Sequence, residues 1–238
     1  MEVLICDTYD DLSKAAFKVM KKVIDEKPAA VLGLATGSSP VGLYQEMVKD
    51  HKENGTSYKD VKTYNLDEYV GLDRNDPQSY WTFMNENLFS GIDIDPANTH
   101  VPYGDTAEDA KAYDDEVKGV DIQLLGIGNN GHIGFNEPGT PFDARTHIVE
   151  LTESTREANK RFFDNDITKV PTHAISQGIG TVMDADSILL IANGAGKADA
   201  VKAMIEGEVT EECPASILQK HPKVTVILDK EAASKLSR

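Results

Sequence analysis

Six short apolar runs, at residues 2 to 6, 30 to 35, 61 to 66, 121 to 127, 187 to 192 and 223 to 228, are spread along 238 residues with helical patterns between most of them. Runs of this length bounded by turn residues read as strands. Strands that alternate with helices leave few topologies open, because a helical crossover returns the chain parallel to the strand it left. The expected fold class is therefore α/β: a single doubly wound domain over residues 1–238, Rossmann-like, with a mainly parallel sheet flanked by helices. The first helix is the clearest, with Leu12, Ala15, Ala16, Val19, Met20, Val23 and Ile24 on one face and a capping-box signal from Thr8 and Asp11. Another carries Leu43, Tyr44, Met47 and Val48, and the spacing predicts more near 79–89, 107–118, 153–163, 197–206 and 230–236. No segment repeats or is of low complexity. The stretch 128–146 is rich in Gly, Asn and Pro and long for a plain connection, which marks it as functional. Sites in this architecture gather at the carboxyl ends of the strands.

Composition narrows the partners. With 40 acidic against 24 basic side chains the formal net charge is -16, which opposes loose association with nucleic acid or an anionic membrane, so neither is an expected partner. An anionic small molecule would need a local cationic pocket. The N-terminus has no basic stretch before its short apolar run, and no segment has the apolar length of a membrane span, so a cytoplasmic location is expected. The two cysteines, Cys6 and Cys213, suggest neither a disulfide framework nor a metal site and read as packed or idle thiols.

Four stretches carry possible chemistry. In Leu34-Ala35-Thr36-Gly37-Ser38-Ser39-Pro40 an apolar strand gives way to a helix, with Ser39 suited to the N-cap and Pro40 to the first turn. Free N–H groups and the helix dipole favour a phosphate there. Gly37 permits close approach, and the hydroxyls of Thr36, Ser38 and Ser39 can donate further bonds. The alternative is an ordinary capped turn. There is no Lys of a nucleotide P-loop and no dinucleotide fingerprint, so no nucleotide is implied. In Tyr64-Asn65-Leu66-Asp67-Glu68-Tyr69 two carboxylates follow an apolar strand; neighbouring strand residues face opposite ways, so at most one should enter a site while the other orients a neighbour or meets solvent. A carboxylate in a dry pocket can act as a base near neutral pH. A solvated turn acid is the plainer alternative.

The segment Gly126-Ile127-Gly128-Asn129-Asn130-Gly131-His132-Ile133-Gly134-Phe135-Asn136-Glu137-Pro138 says most. Its glycines let the chain turn tightly around His132, the side chain best suited to proton transfer at neutral pH, and Glu137 is close enough in sequence to steer the ring. No cluster of ligands accompanies the histidine at metal spacing, so no metal is expected. Finally, Arg161 precedes an aromatic pair at a helix end, and Lys197 lies between a strand and a helix; each could grip a phosphate or be a plain surface charge.

The segments LGLATGSSP, NLDEYVGL, GIGNNGHIGFNEP, TREANKRFF and GAGKADAV, in this order, resemble the glucosamine-6-phosphate deaminases across essentially the whole chain. The GHIGFNEP block is specific within the sugar-phosphate isomerase-like superfamily, whereas the TGSSP turn also resembles 6-phosphogluconolactonases. The resemblance implies an amino-sugar phosphate as the small-molecule partner, no cofactor, Asp67 as the enolisation base, His132 as the ring-opening acid-base, Glu137 as its partner, and Arg161 with Lys197 on the phosphate. Some members have Asp where this chain has Asn130, and an amide there can only orient by hydrogen bonding. A lid is expected at about 151–171. Long-form members bind an allosteric sugar phosphate through basic and hydroxyl residues after the FNEP block and a longer C-terminus. This chain has His147, Val149 and Glu150 there and stops at Arg238, so a non-allosteric monomer or weak homo-oligomer is expected.

Two rivals stand beside this expectation: a lactonase with similar phosphate contacts, and a non-catalytic sugar-phosphate sensor of a transcription regulator. The His132 loop and the LDEY segment argue against the first. The acidic balance, and the lack of room for DNA-binding helices before the strand at residue 2, argue against the second.

Overall fold

The computed structural model describes residues 1–237. In chain order its elements are β1 (Glu2–Cys6), α1 (Tyr9–Glu26), β2 (Val31–Leu34), α2 (Val41–Asn54), β3 (Lys62–Asn65), β4 (Asp67–Tyr69), α3 (Tyr80–Asn87), β5 (Thr99–His100), α4 (Ala107–Glu116), β6 (Ile122–Leu125), β7 (His147–Glu150), α5 (Glu153–Asn159), β8 (His173–Ser176), α6 (Ile179–Met183), β9 (Ile188–Ala192), α7 (Ala198–Glu206) and β10 (Val224–Asp229). All six strands expected from the apolar runs are present within a residue or two.

Seven strands form one sheet in the order β1-β10-β9-β6-β2-β3-β5, and every pairing in it is parallel. From β2 the chain moves outward to β3 and β5; from β6 it moves the other way to β9 and β10. Strands β2 and β6 are neighbours, with Leu32 opposite Ile122, so the sheet's switch point lies between them, and it is at the carboxyl ends beside such a point that sites gather in this architecture. The helices pack their apolar stripes on this sheet. In α1, Leu12, Ala16, Met20 and Ile24 are buried, and the Thr8 hydroxyl caps the helix by accepting from the Asp11 N–H at 3.1 Å. The α2 helix ends at Gly55 in the left-handed conformation, φ 75°.

A second sheet was not legible in the apolar runs. Strands β4, β8 and β7 form an antiparallel group in the order β4-β8-β7, with Asp67 opposite Ser176. Only Leu66 separates β4 from β3, and its N–H still bonds to the Leu34 carbonyl at 3.0 Å, so the chain changes sheets immediately after that residue. A small apolar cluster of Tyr69, Phe135, Leu151, Phe163, Val170 and Ala174 packs around this sheet. Its members Leu151, Phe163 and Val170 come from the expected lid. That segment folds as α5 followed by two short 3-10 turns, Lys160–Phe162 and Ile167–Lys169.

One expected helix is absent. Residues 230–236 form a chain of turns in which Asp229 accepts from the Ala232 N–H through its side chain, and Ser234 and Leu236 bond three residues back instead of four. The carboxylate of Asp229 also takes the Gly194 N–H at 2.9 Å, so it serves two loops rather than starting a helix.

Candidate active site

Four loops meet at the carboxyl ends of β9, β6, β2 and β3, which are adjacent in the sheet. After β2 comes the turn of Thr36, Gly37, Ser38 and Ser39. Gly37 has φ +92°, a left-handed backbone that favours glycine. The Tyr9 hydroxyl, from α1, contacts the carbonyls of Ser38 and Ser39 at 3.0 and 2.9 Å and accepts the Gly42 N–H at 2.9 Å. With those carbonyls drawn to Tyr9, the N–H groups of Gly37, Ser38 and Ser39 donate to no acceptor among the described residues, and the hydroxyls of Thr36 and Ser38 are equally unengaged. Ser39 is not the N-cap that its position suggested. Pro40 already has helical backbone angles and occupies the cap, while the Ser39 hydroxyl turns away to donate to Asn193 Oδ1 at 2.9 Å. That bond ties the turn to the loop after β9, which carries Lys197.

The paired carboxylates divide as the strand alternation required. Glu68 accepts three backbone N–H groups, from Tyr69 at 2.8 Å, Tyr80 at 3.0 Å and Trp81 at 3.0 Å, and so fixes the start of α3. Burial raises its pKa, and those hydrogen bonds oppose the shift. Asp67 is also buried, at 7% exposure, yet accepts no hydrogen bond among the described residues. Burial first, and the charge of Glu68 second, push its carboxyl up to about 8. Such a group holds or releases a proton near neutral pH.

The loop after β6 is drawn around His132. A side chain on Gly128 would begin 2.2 Å from the imidazole, so only glycine lets the ring lie against this backbone. Further along, a Cβ on Gly134 would sit 3.7 Å from Asp67 Oδ2 and 3.1 Å from Ser176 Oγ, which brings the His132 loop to the base strand. The Ser176 hydroxyl also accepts the Phe135 N–H at 3.1 Å.

Asn130 sits between the two titratable groups of this loop. Its Nδ2 donates to Glu137 Oε2 at 2.7 Å, and its Oδ1 lies 2.7 Å from His132 Nδ1 and 3.2 Å from the His132 N–H. A carboxylate can only accept, so the amide nitrogen must face Glu137 and the amide oxygen must face the ring. His132 then donates from Nδ1, so that in the neutral ring the lone pair is on Nε2. Glu137 reaches Nδ1 only at 3.5 Å, so it steers the ring mainly through Asn130. Burial alone would raise the Glu137 pKa; the nearby His132 imidazole and hydrogen bonds from Thr155 and Asn130 overcome that and hold it at about 2.

Arg161 and Lys197 come from separate segments and approach closely enough that Arg161 lowers the Lys197 pKa, after burial, which lowers it more. Neither forms an ion pair among the described residues, although the chain is strongly acidic. The Arg161 guanidinium lies over the Phe162 ring at 4.7 Å. Two like charges left unpaired by protein carboxylates are suited to an anionic ligand. Among the described residues no group of three His, Cys, Asp or Glu side chains is placed to hold a metal ion, and no helix is long and apolar enough to cross a membrane.

The structure thus links the residues singled out in the sequence in three groups: the Thr36–Ser39 turn joined to the Lys197 loop through Ser39 and Asn193, Arg161 near Lys197, and the Asn130, His132 and Glu137 set on a loop that reaches the strand of Asp67. It adds two that sequence reasoning missed. Tyr9 lies within the apolar pattern of α1 with nothing to mark its hydroxyl. Thr155, in the TREANKRFF segment, donates to Glu137 Oε1 at 2.5 Å and could have been noticed as a hydroxyl two turns before Arg161.

A parallel sheet with unpaired amides, unpaired cations, a buried carboxylate and an imidazole on the loops at its carboxyl ends is the arrangement of a sugar-phosphate enzyme, and the chain belongs to the family described as glucosamine-6-phosphate isomerases/6-phosphogluconolactonase, whose pattern matches residues 7–227. Within it, the chain is 54% identical over 233 residues to the glucosamine-6-phosphate deaminase of Lysinibacillus sphaericus, covering 95% of this chain and 98% of that one. A solved structure described as a monomeric glucosamine-6-phosphate deaminase superposes with a TM-score of 0.96 at 45% identity, over 99% of this chain and 100% of the other. The 6-phosphogluconolactonase from Trypanosoma cruzi, at 19% identity and a TM-score of 0.79 over 100% of this chain and 97% of that one, shares the fold.

Proposed function

We propose that the protein converts D-glucosamine 6-phosphate and water into D-fructose 6-phosphate and ammonium. The observation that carries this reading is Asp67, a buried carboxyl with no hydrogen-bond donor of its own and a pKa raised to about 8, on the strand that the His132 loop reaches at Gly134. The names of relatives half identical over nearly the whole chain support the same reaction.

In this reading the phosphate binds the amides of Gly37, Ser38 and Ser39, the hydroxyls of Thr36 and Ser38, and the cations Arg161 and Lys197. His132 Nε2 takes the proton of the anomeric hydroxyl and returns it to the ring oxygen, opening the pyranose. Asn130 and Glu137 stabilise the imidazolium formed in between. Asp67 then removes the proton from carbon 2 of the open-chain aldehyde, leaving an enolamine. Returning that proton to carbon 1 gives an iminium at carbon 2, to which water adds as ammonium departs. Fixing the phosphate holds carbons 1 and 2 against the base, and such positioning can lower the barrier substantially. The segment 151–171 acts as a lid: it carries Arg161 toward Lys197 and packs Phe163 against Tyr69, an edge contact of 5.6 Å between ring centres.

The enzyme works as a monomer without allosteric activation, a reading supported by the description of the superposed relative. A coupled assay for ammonium release from glucosamine 6-phosphate tests both parts. Absence of ammonium, with hydrolysis of 6-phosphogluconolactone instead, would overturn the reaction; a sigmoidal saturation curve that N-acetylglucosamine 6-phosphate makes hyperbolic would overturn the regulation.

A further inference from the structure

The carboxylate of Glu137 is held at both oxygens by different parts of the chain. Oε2 accepts from Asn130, inside the His132 loop, and Oε1 accepts from the Thr155 hydroxyl, on α5. Thr155 is oriented in turn. Its Oγ1 accepts from the Thr152 hydroxyl at 3.0 Å, while Thr152 caps α5 by accepting the Thr155 N–H at 3.2 Å. Because an ionised carboxylate can only accept, the Thr155 hydroxyl hydrogen is directed at Glu137.

This matters because the last torsion of a glutamate is soft, so its carboxylate plane is defined only by the partners it meets. With one oxygen held, the plane can swing about that bond. With both held, Oε2 stays where the Asn130 nitrogen needs it, Oδ1 stays on His132 Nδ1, and the ring keeps its Nε2 lone pair aimed outward. We propose that Thr155 is a positioning residue for ring opening: by holding Glu137 from the lid segment, its hydroxyl fixes the Asn130 amide and the tautomer of His132. Arg161 follows on the same segment, one short turn beyond the end of α5. Docking this one segment therefore delivers the phosphate ligand and the Glu137 clamp together, and the imidazole is set for proton transfer when the phosphate end is held. Asp67 shares no hydrogen bond with Thr155 among the described residues and is outside the relay.

The kinetic side of this inference rests on the deaminase reading, so the test has an arm that needs no substrate. Thr155→Val keeps the branched shape and the N–H that Thr152 caps, and removes only the hydroxyl; Thr155→Ser restores it. Nitrogen-15 NMR of the His132 ring should show a fixed Nδ1–H tautomer in wild type and Thr155→Ser, and a tautomer mixture in Thr155→Val. In the assays, Thr155→Val should lower turnover of glucosamine 6-phosphate at least about fivefold, while deuterium exchange at carbon 1 of fructose 6-phosphate, which reports Asp67 on a sugar more available in open form, stays within about twofold of wild type. Thr155→Ser should recover turnover. An unchanged His132 tautomer in Thr155→Val overturns the proposal, as does an equal loss in both reactions or a serine variant as poor as valine. A wild-type protein that releases no ammonium would overturn the deaminase reading instead, and the NMR comparison would still decide the role of Thr155.

Discussion

Replacing Asp67 with Asn should abolish activity and stabilise the fold at the same time. In the folded protein this carboxyl titrates at about 8, against an ordinary value of 3.8, because it is buried and lies beside Glu68. The folded state therefore keeps a proton that the unfolded chain gives up, and each pH unit between those limits costs the folded state about 1.4 kcal/mol. At about pH 7 the accumulated cost is about 4 kcal/mol, and it levels off near 6 kcal/mol once the pH passes about 8. An amide of the same size has no proton to exchange. Below about pH 4 the wild type and Asp67→Asn should thus have similar stability, and the variant should gain an increasing advantage as the pH rises. Urea unfolding at a series of pH values measures that gap, and ammonium release measures activity, which should fall at least about a hundredfold. In the wild type, kcat/KM should climb as the pH rises through about 8, because the base must be ionised. A variant no more stable than wild type at neutral pH would refute the desolvation argument. Retained turnover would show that Asp67 is not the base and direct the same experiment to Glu68.

Arg161→Ala and Lys197→Ala should each lower kcat/KM about tenfold or more, since a charge-assisted bond to phosphate contributes about 1.5–3 kcal/mol; unchanged kinetics in both would remove them from the site. Gly128→Ala, whose Cβ would lie 2.2 Å from the imidazole, should push His132 out of line and cut turnover at least about tenfold with the circular dichroism spectrum unchanged, and a fully active variant would contradict the close approach. Glu68→Gln should destabilise the fold by about 1–3 kcal/mol, because an amide cannot accept all three N–H groups at the start of α3, and a denaturation midpoint equal to wild type would show that this cap is dispensable.

The main sheet was legible because its strands are apolar runs long enough to stand out from the helices between them. The small sheet was not. Strand β4 has three residues, two of them acidic, and follows β3 after one leucine, so nothing local announces that the chain leaves one sheet for another. Strands β7 and β8 begin with His147 and His173 and contain few apolar residues beyond those that meet Tyr69. The segment 230–236 had helical spacing at Ala232, Ala233 and Leu236, but long-range demand on Asp229 from Gly194 outweighed that pattern. Among site residues, those in glycine-rich turns and strand ends could be found because their backbone setting is unusual. Tyr9 and Thr155 act through single hydroxyls on ordinary helices, and their partners are distant in sequence. The division of labour between Asp67 and Glu68 was half legible: alternation gave the split, but only the packing of α3 decided which residue took the amides.

The two ends of the segment 151–171 are themselves joined by paired strands. Strand β7 leads into it and β8 leads out, and the two are hydrogen-bonded antiparallel from His147 opposite Ser176 to Glu150 opposite His173, so the segment is a long hairpin fastened at its base. Its far end turns through Asp164 and Asn165, both with left-handed backbone at φ 55° and 57°. The base is also where β8 pairs with the strand of Asp67. Through Phe163, next to that turn and packed on Tyr69, and through β8, the hairpin meets the strand of Asp67 at two places.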